Sequence, residues 1–466
     1  MNIFKKLDYG DKEPKIYQEG NSFSYSNLLD NIKKFNFNSE PKSLAFVLSE
    51  NSYECLSGYC GLSYNNFTVA ILEAATNKKV LENILNRFRP LYVYQPNYLK
   101  TSNDWRIMLN LGHYALFKTN YIIDYEINEN LSTLIMTSGS TGSPEFVRLS
   151  YKNIYDNTKN ICSYLNIKRD DRAITTLPMS YSYGLSIIHT HLFRNSSIVL
   201  TQQSFMQKKI WTMMNDLGVT TFGGVPYIFE ILKRLKFDSL DMKTIQYITQ
   251  AGGKLDSKLE TYLYETCTKK NIKFFTMYGQ AEASPRISYL PYKMFYKKKN
   301  SIGIPIPNGS LSLVDEDGKV ISNAGQEGEL VYKGDNVCLG YALDAYDLKS
   351  GDLNKGILKT GDLAIFDKDG YFYITGRKKR FVKMFGNRIN LDFIEQSLAS
   401  QDVNCICVGD NDSKIKVFIK KKSDVQKINY YFKTILKIKK SFYDYQLIDS
   451  FPRSKSGKIL YSNFKI

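Results

Sequence analysis

LIMTSGSTGSPEFVR, residues 134–148, is the stretch whose reading decides how the rest of the chain is understood. Leu134, Ile135 and Met136 form an apolar run that predicts a buried strand, and Thr137 to Pro144 follow as a loop of Thr, Ser, Gly and Pro. Such a loop can bring backbone N–H groups and hydroxyls close to a polyanion. A flexible Ser/Gly linker has the same composition. A Walker A loop is excluded, because it needs Lys directly after the second Gly, and Gly142 is followed by Ser143, Pro144 and Glu145.

Downstream, strand and helix signals alternate. STLIMTS, RAITTLP, SIVLTQ, VTTFGG, IQYITQAG and IKFFTMYG read as strands. Helices are expected after Ser150 as N-cap, around Phe205–Asp216, from Pro226 at a first turn, and near Leu255–Cys267. This alternation predicts parallel α/β sheets covered on both faces, with ligands bound beyond the carboxyl ends of the strands. The loops Ser138–Pro144, Gln250–Lys254 and Tyr278–Ser284 are expected at those ends.

The first 130 residues carry strand and helix signals, in SFSYSNLLDNIKKF and SLAFVLSENSYECLSGYCGLSY, but no chemistry. After about Pro291 the pattern changes to short strands, with Asp317-Gly318 and Asp369-Gly370 as hairpin turns. The expected organisation is α/β, with a large N-terminal domain over 1–378. That domain includes a β-rich subdomain at about 292–378, and a small mobile C-terminal α+β domain spans 379–466. A basic amphipathic helix is expected near Gln426–Lys440.

Composition narrows the function. With 466 residues, 43% hydrophobic and 14% aromatic, the chain is long enough for more than one packed core and does not read as disordered. The net charge is +17, and from Arg380 onward 17 Lys and Arg face 8 Asp and Glu. A basic tail suits an acidic partner such as nucleotide phosphates, a phosphopantetheine carrier or nucleic acid. No RNP, zinc-finger or helix-turn-helix signature supports nucleic acid as that partner. Seven scattered cysteines without CxxC spacing indicate neither a disulfide framework nor zinc. The N-terminus lacks an apolar targeting core and no run of ~18 apolar residues exists, so no membrane span and a cytoplasmic location are expected. HExxH and GxSxG are absent, which leaves metalloprotease and serine hydrolase unsupported. His189 and His191 read as a helix-surface pair.

Six motifs then occur in order: TSGSTGSPE, MYGQAEAS, GELVYKGDNVCLGY, KTGDL, ITGRKKRFVKMFGNRIN and PRSKSGKI. Together they resemble the AMP-forming adenylating superfamily of acyl- and aryl-CoA ligases, carrier-protein adenylation domains and luciferases. The likeness runs from about Ser132 to the C-terminus. It implies activation of a small carboxylic acid by ATP and Mg²⁺ to acyl-AMP, followed by transfer to a pantetheine thiol of a carrier protein or CoA. The basic tail favours the carrier. The resemblance leaves two alternatives open, an amino-acid-activating enzyme and a degenerate nucleotide-binding homologue without catalysis.

Carried over residue by residue, the resemblance implies that Thr137, Ser138, Gly139, Ser140, Thr141 and Gly142 hold the triphosphate. Tyr278 lies against adenine with Gly279 in the same nucleotide site, Gly252 and Gly253 let the backbone approach the adenine and acyl site closely, and Asp362 binds the ribose hydroxyls beside Arg377. Glu282 is the implied Mg²⁺ ligand, Lys458 the catalytic lysine and Lys379 the hinge. Tyr181, Ser182, Tyr183, Val225 and Gln250 are candidates for the acyl pocket. The run YGQAEASPRISYLP further resembles ligases that feed acyl groups to bacterial glycan or lipid pathways.

There are also departures. Glu145 and Phe146 stand where the family usually has Lys and Gly, Ala281 stands where it usually has Thr, and Arg148 is the nearest cation to substitute for the lost Lys. The Phe-Asp pair that grips an α-ammonium is missing after LPMSYSYGLSI, which favours a non-amino acid.

Overall fold

The computed structural model describes residues 2–6, 15–37, 42–99, 101–102, 104–138, 144–378, 380–384, 387–409, 414–454 and 459–464. Among these, most strands fall into two large sheets. One runs Ile304–Pro305, Arg286–Tyr289, Lys273–Gly279, Tyr247–Gln250, Thr221–Gly224, Arg172–Thr175, Ser197–Leu200, Lys15–Gln18 and Asn21–Ser24. Its six inner strands, from Lys273–Gly279 to Lys15–Gln18, are parallel. The other sheet runs Tyr341–Ala342, Pro144–Ser150, Leu131–Ser138, Thr68–Glu73, Leu44–Ser49, Tyr92–Pro96, Tyr114–Lys118 and Arg106–Leu111.

The helices follow from local sequence. Ser150 caps helix Tyr151–Leu165 through a reciprocal box, accepting from Asn153 N at 3.0 Å while the Asn153 side chain accepts from Ser150 N at 2.8 Å. Pro226 opens helix Pro226–Arg234. Helices Tyr53–Tyr64 and Ser182–Phe193 are apolar around nearly their whole circumference, and both are buried in one core that also takes side chains from both sheets. Gly58 and Gly61 let the first of these approach its neighbours. A Cβ at Gly58 would fall 2.0 Å from the Tyr94 ring, and one at Gly61 2.4 Å from Phe35.

Several expectations change. PEFVR is not the exit of a loop but the start of strand Pro144–Ser150, which pairs antiparallel with Leu131–Ser138, Thr137 opposite Glu145. The decisive stretch is therefore a hairpin, and it lies in a different sheet from the Gln250 and Tyr278 loops. The helix expected at Phe205 starts at Lys208. The basic helix expected to reach Lys440 is an α-helix over Val425–Tyr430 that widens to π over Tyr431–Ile435 and ends there.

His189 and His191 are not a surface pair. They are 4% and 2% exposed in the helix between the sheets. His189 Nε2 lies 2.8 Å from the Tyr59 hydroxyl, and His191 Nδ1 lies 2.8 Å from the Ile187 carbonyl. Burial pushes their pKa values down to about 3 and about 4. Both rings stay neutral in the folded chain, while unfolding lets them take up protons below pH ~6.5. Their stabilising effect is complete above that pH and is lost as pH falls towards 4, at up to about 1.4 kcal/mol per pH unit for each ring. In urea titrations between pH 7 and 4.5 the unfolding free energy should fall, and His189→Gln should flatten that fall. An unchanged slope in the variant would show that His189 is not the group being titrated.

From Ser310 to Arg377 a five-stranded antiparallel sheet contains both expected Asp-Gly turns, with Gly318 at φ +81° and Gly370 at φ +79°. Residues 382–443 share a separate core, with helix Leu391–Ala399 packed on strands Cys405–Gly409, Ile415–Ile419 and Tyr443–Leu447. Cys405 and Cys407 share its inner face. All seven cysteines are free and buried. Among the described residues no helix is long and apolar enough to cross a membrane.

Candidate active site

Register places the candidate residues at strand ends. Gln250 lies opposite Thr276 in the parallel sheet, so Gln250–Gly253 and Thr276–Gly279 leave its edge side by side. Gly252, at φ +81°, leaves room for the Tyr181 hydroxyl and Val225, since a Cβ there would fall 2.4 Å and 3.0 Å from them. The Gln250 amide donates to the Gly253 carbonyl at 2.7 Å and holds the turn. Gly279 has no room for a side chain either, the Pro285 carbonyl lying 1.9 Å from where its Cβ would be. Ser182 and Tyr183 are buried, and Tyr183 reaches Thr249 Oγ1 at 2.7 Å.

Beside that edge stands a polar cluster drawn from three chain segments. The Tyr278 hydroxyl donates to Asp362 Oδ2 at 2.5 Å. Gln280 Nε2 is 3.2 Å from the same oxygen and 2.9 Å from the Thr360 carbonyl. Arg377 Nε lies 3.2 Å from Asp362 Oδ1, opposite it in the ladder. The Asp362 side chain is 6% exposed and that of Arg377 65%. Burial raises the Asp362 carboxyl above its ordinary range, against the opposing pull of Arg377, Tyr278 and Gln280. Burial and the Asp362 charge push the Tyr278 phenol well up, so it is a donor at any working pH.

Glu282 sits on the single turn Ala281–Ala283, held from two directions. Its carbonyl accepts from Cys338 N at 2.8 Å, and its carboxylate accepts from the Tyr341 hydroxyl at 2.7 Å. Tyr341 in turn pairs with Val147 on the hairpin. The Tyr341 phenol is raised by burial, then by Glu282, and in smaller part by the charge of Glu145. Among the described residues no three acidic, His or Cys side chains cluster as a metal cage. A lone carboxylate suits Mg²⁺, which takes one or two carboxylates and completes its shell with phosphates and water.

Arg148 does not replace the missing lysine. It is fully buried and donates to four backbone carbonyls, those of Tyr341 at 3.1 Å, Ser350 at 2.5 Å, Leu339 at 3.0 Å and Gly351 at 3.2 Å. It fastens the 339–351 segment to the hairpin, and Phe146, on the same strand face, packs on Phe46 and Phe88.

The C-terminal segment meets this edge. Lys254 Nζ lies 2.8 Å from Gln396 Oε1, and Asp392 accepts from Arg377 N at 3.0 Å. Arg453 pairs with Glu230 at 3.3 Å and bridges to Ile459. The expected Lys458, Lys379, Gly139, Ser140, Thr141 and Gly142 lie outside the described residues; Ser138 is described as the last residue of its strand.

Over residues 8–342 the chain matches the family model described as AMP-binding enzyme. The chain belongs to the AMP-binding enzyme family. Among relatives of this family, the 2-succinylbenzoate–CoA ligase of Bacillus cereus (strain Q1) is 30% identical over 276 residues, 58% of this chain and 55% of that one. The chain thus spans about half the length of the curated relatives it matches. The O-succinylbenzoate coenzyme A synthetase (MenE) of Bacillus subtilis, solved with ATP and magnesium ion, superimposes with a TM-score of 0.78 at 19% identity, over 99% of this chain and 98% of that one. ATP-bound MatB of Rhodopseudomonas palustris gives 0.78 at 19% identity over 99% and 97%. At such identities the likeness establishes the fold.

Sequence reasoning missed Gln280, Tyr341 and Arg286. Gln280 and Arg286 lie within the quoted run YGQAEASPR, and Tyr341 ends the quoted GELVYKGDNVCLGY. Only the structure shows what they touch.

Proposed function

We propose that the chain is an AMP-forming carboxylate–thiol ligase. A carboxylic acid attacks the α-phosphorus of ATP to give acyl-AMP and pyrophosphate, and a pantetheine thiol then displaces AMP to give the thioester. The observation that carries this reading is the Tyr278–Gln280–Asp362–Arg377 cluster, set at the parallel sheet's edge beside Glu282. It supplies an aromatic ring for a base, a carboxylate for the ribose hydroxyls and a carboxylate for Mg²⁺ within one site. The hairpin loop after Thr137 is read as the triphosphate cradle and Lys458 as the residue that neutralises developing charge.

The chain is read as two domains that divide at Lys379. In support, residues 382–443 have a core of their own, and Arg453 pairs with Glu230 and lies over Tyr227, both on the helix that follows the acyl-pocket candidate Val225. The relatives, a 2-succinylbenzoate–CoA ligase among them, favour CoA as acceptor, against the carrier protein suggested by charge. ATP–pyrophosphate exchange across a panel of acids tests the first half-reaction, and mass detection of the thioester with CoA or holo-carrier tests the second. Absence of exchange with every acid of the panel would support the alternative of a non-catalytic nucleotide binder.

Glu145 gives a smaller prediction. Its charge reaches Tyr341, the tyrosine that binds Glu282, so it adds negative potential on the side where triphosphate is expected. Glu145→Lys should lower the KM for ATP by about 10-fold, on the scale of screened charge pairs. An unchanged or higher KM would place the side chain away from the phosphates.

A further inference from the structure

Two arginines of the N-terminal region are almost wholly buried, Arg148 at 0% and Arg286 at 2% exposure, and they are treated very differently by their surroundings. Arg148 is satisfied by backbone carbonyls. Arg286 has no carboxylate partner among the described residues and its Nε has no acceptor; its polar neighbours are neutral, Ser186 Oγ at 3.5 Å from Nη2 and the Tyr164 hydroxyl. The guanidinium lies 4.6 Å from the Tyr183 ring centroid. A buried cation left this way is costly, because neither a ring face nor a long hydroxyl contact replaces a counter-charge.

Arg286 lines a small cavity with Tyr183, Thr249, Met277, Tyr247 and His191. Two more of these walls carry orphaned polar atoms, the Tyr247 hydroxyl and His191 Nε2. The cavity offers about 20 Å³ to the centre of a water-sized sphere, room for a terminal group and not for an alkyl tail. It lies just below the candidate acyl site. Thr249 precedes Gln250, Met277 precedes Tyr278, and Arg286 stands opposite Gly279 in the ladder. A buried water could satisfy the hydrogen bonds but would leave the charge of Arg286 unbalanced.

The geometry points to a second, anionic subsite: the acid activated by this chain carries a distal carboxylate that enters this cavity and pairs with Arg286. The inference rests on the ligase reading above and names its substrate class as short dicarboxylic acids. A guanidinium at this position also repels an α-ammonium, in line with the absence of a Phe-Asp pair.

The test compares succinate and glutarate with their monoamides and with butyrate and valerate in ATP–pyrophosphate exchange by the full chain. Diacids should exceed the monoamides by about 100-fold or more in kcat/KM, the discrimination typical of a site built around a buried polar partner. Arg286→Met should erase most of that difference, and Arg286→Lys should recover only part of it. Monoamides or monoacids that match the diacids in the unmodified protein would overturn the inference without recourse to any variant. If no acid supports exchange, the ligase reading fails. Calorimetric titration of glutarate into the AMP-saturated protein then tests the subsite alone, where Arg286-dependent uptake sustains it and no uptake overturns it.

Discussion

Asp362→Asn is expected to lower kcat/KM for ATP in pyrophosphate exchange by about 100- to 1,000-fold, with the thermal midpoint little changed. Hydrogen bonds to a charged partner contribute about 1.5–3 kcal/mol each, and a ribose diol makes two of them to one carboxylate. The amide keeps the shape of the side chain and can still accept from Tyr278, but it loses the charge that Arg377 faces 3.2 Å away. In the ligand-free chain Asp362 already accepts from Tyr278 and Gln280 and pairs with Arg377, so nucleotide must share or displace these partners. Tyr278→Phe should therefore cost far less than Asp362→Asn. Equal losses in the two variants would mean that the carboxylate serves the protein and not the nucleotide.

Lys458→Ala is expected to reduce exchange by a similar factor while sparing thiolysis of preformed acyl-AMP. A cation that meets charge only as pyrophosphate departs acts in one half-reaction, and removing such a donor typically costs about 100- to 1,000-fold. Upstream of it Arg453 pairs with Glu230, and downstream the Arg380 guanidinium lies 4.0 Å from the Tyr461 ring centroid. Arg380 is itself paired with Asp392 and, at 2.8 Å, with Glu395. The tail is thereby tied to the residue directly after Lys379. Loss of both half-reactions in Lys458→Ala would indicate a structural role instead.

Much of this was legible because motif and strand end coincide in a parallel sheet. The apolar runs before Gln250 and Tyr278 showed which loops reach the edge, and the Asp-Gly pairs marked both turns of the smaller sheet. Arg148 was misread because nearness in sequence to a phosphate loop was taken for nearness in space. On a strand, successive side chains face opposite ways, and Arg148 shares its face with the core residue Phe146, not with Glu145. The histidines were misread because the helix Ser182–Phe193 is buried on nearly all sides, so no polar face existed for them to occupy. Arg286 could not have been singled out in a chain with 63 Lys and Arg, since only burial without a carboxylate partner among the described residues distinguishes it.

The seven free cysteines have a practical use. Burial pushes the thiols of Cys55, Cys162, Cys267 and Cys338 up to about 12, so at neutral pH they are both hidden and protonated. The folded chain therefore offers a quiet background to thiol-directed dyes. A pair of cysteines placed at the exposed Ile122 and Tyr430, which are 81% and 59% accessible, could be labelled without first stripping out the native ones. Energy transfer between such dyes would test whether the C-terminal segment moves when ATP and an acid are added, and any signal from the native thiols would mark the moment the chain unfolds.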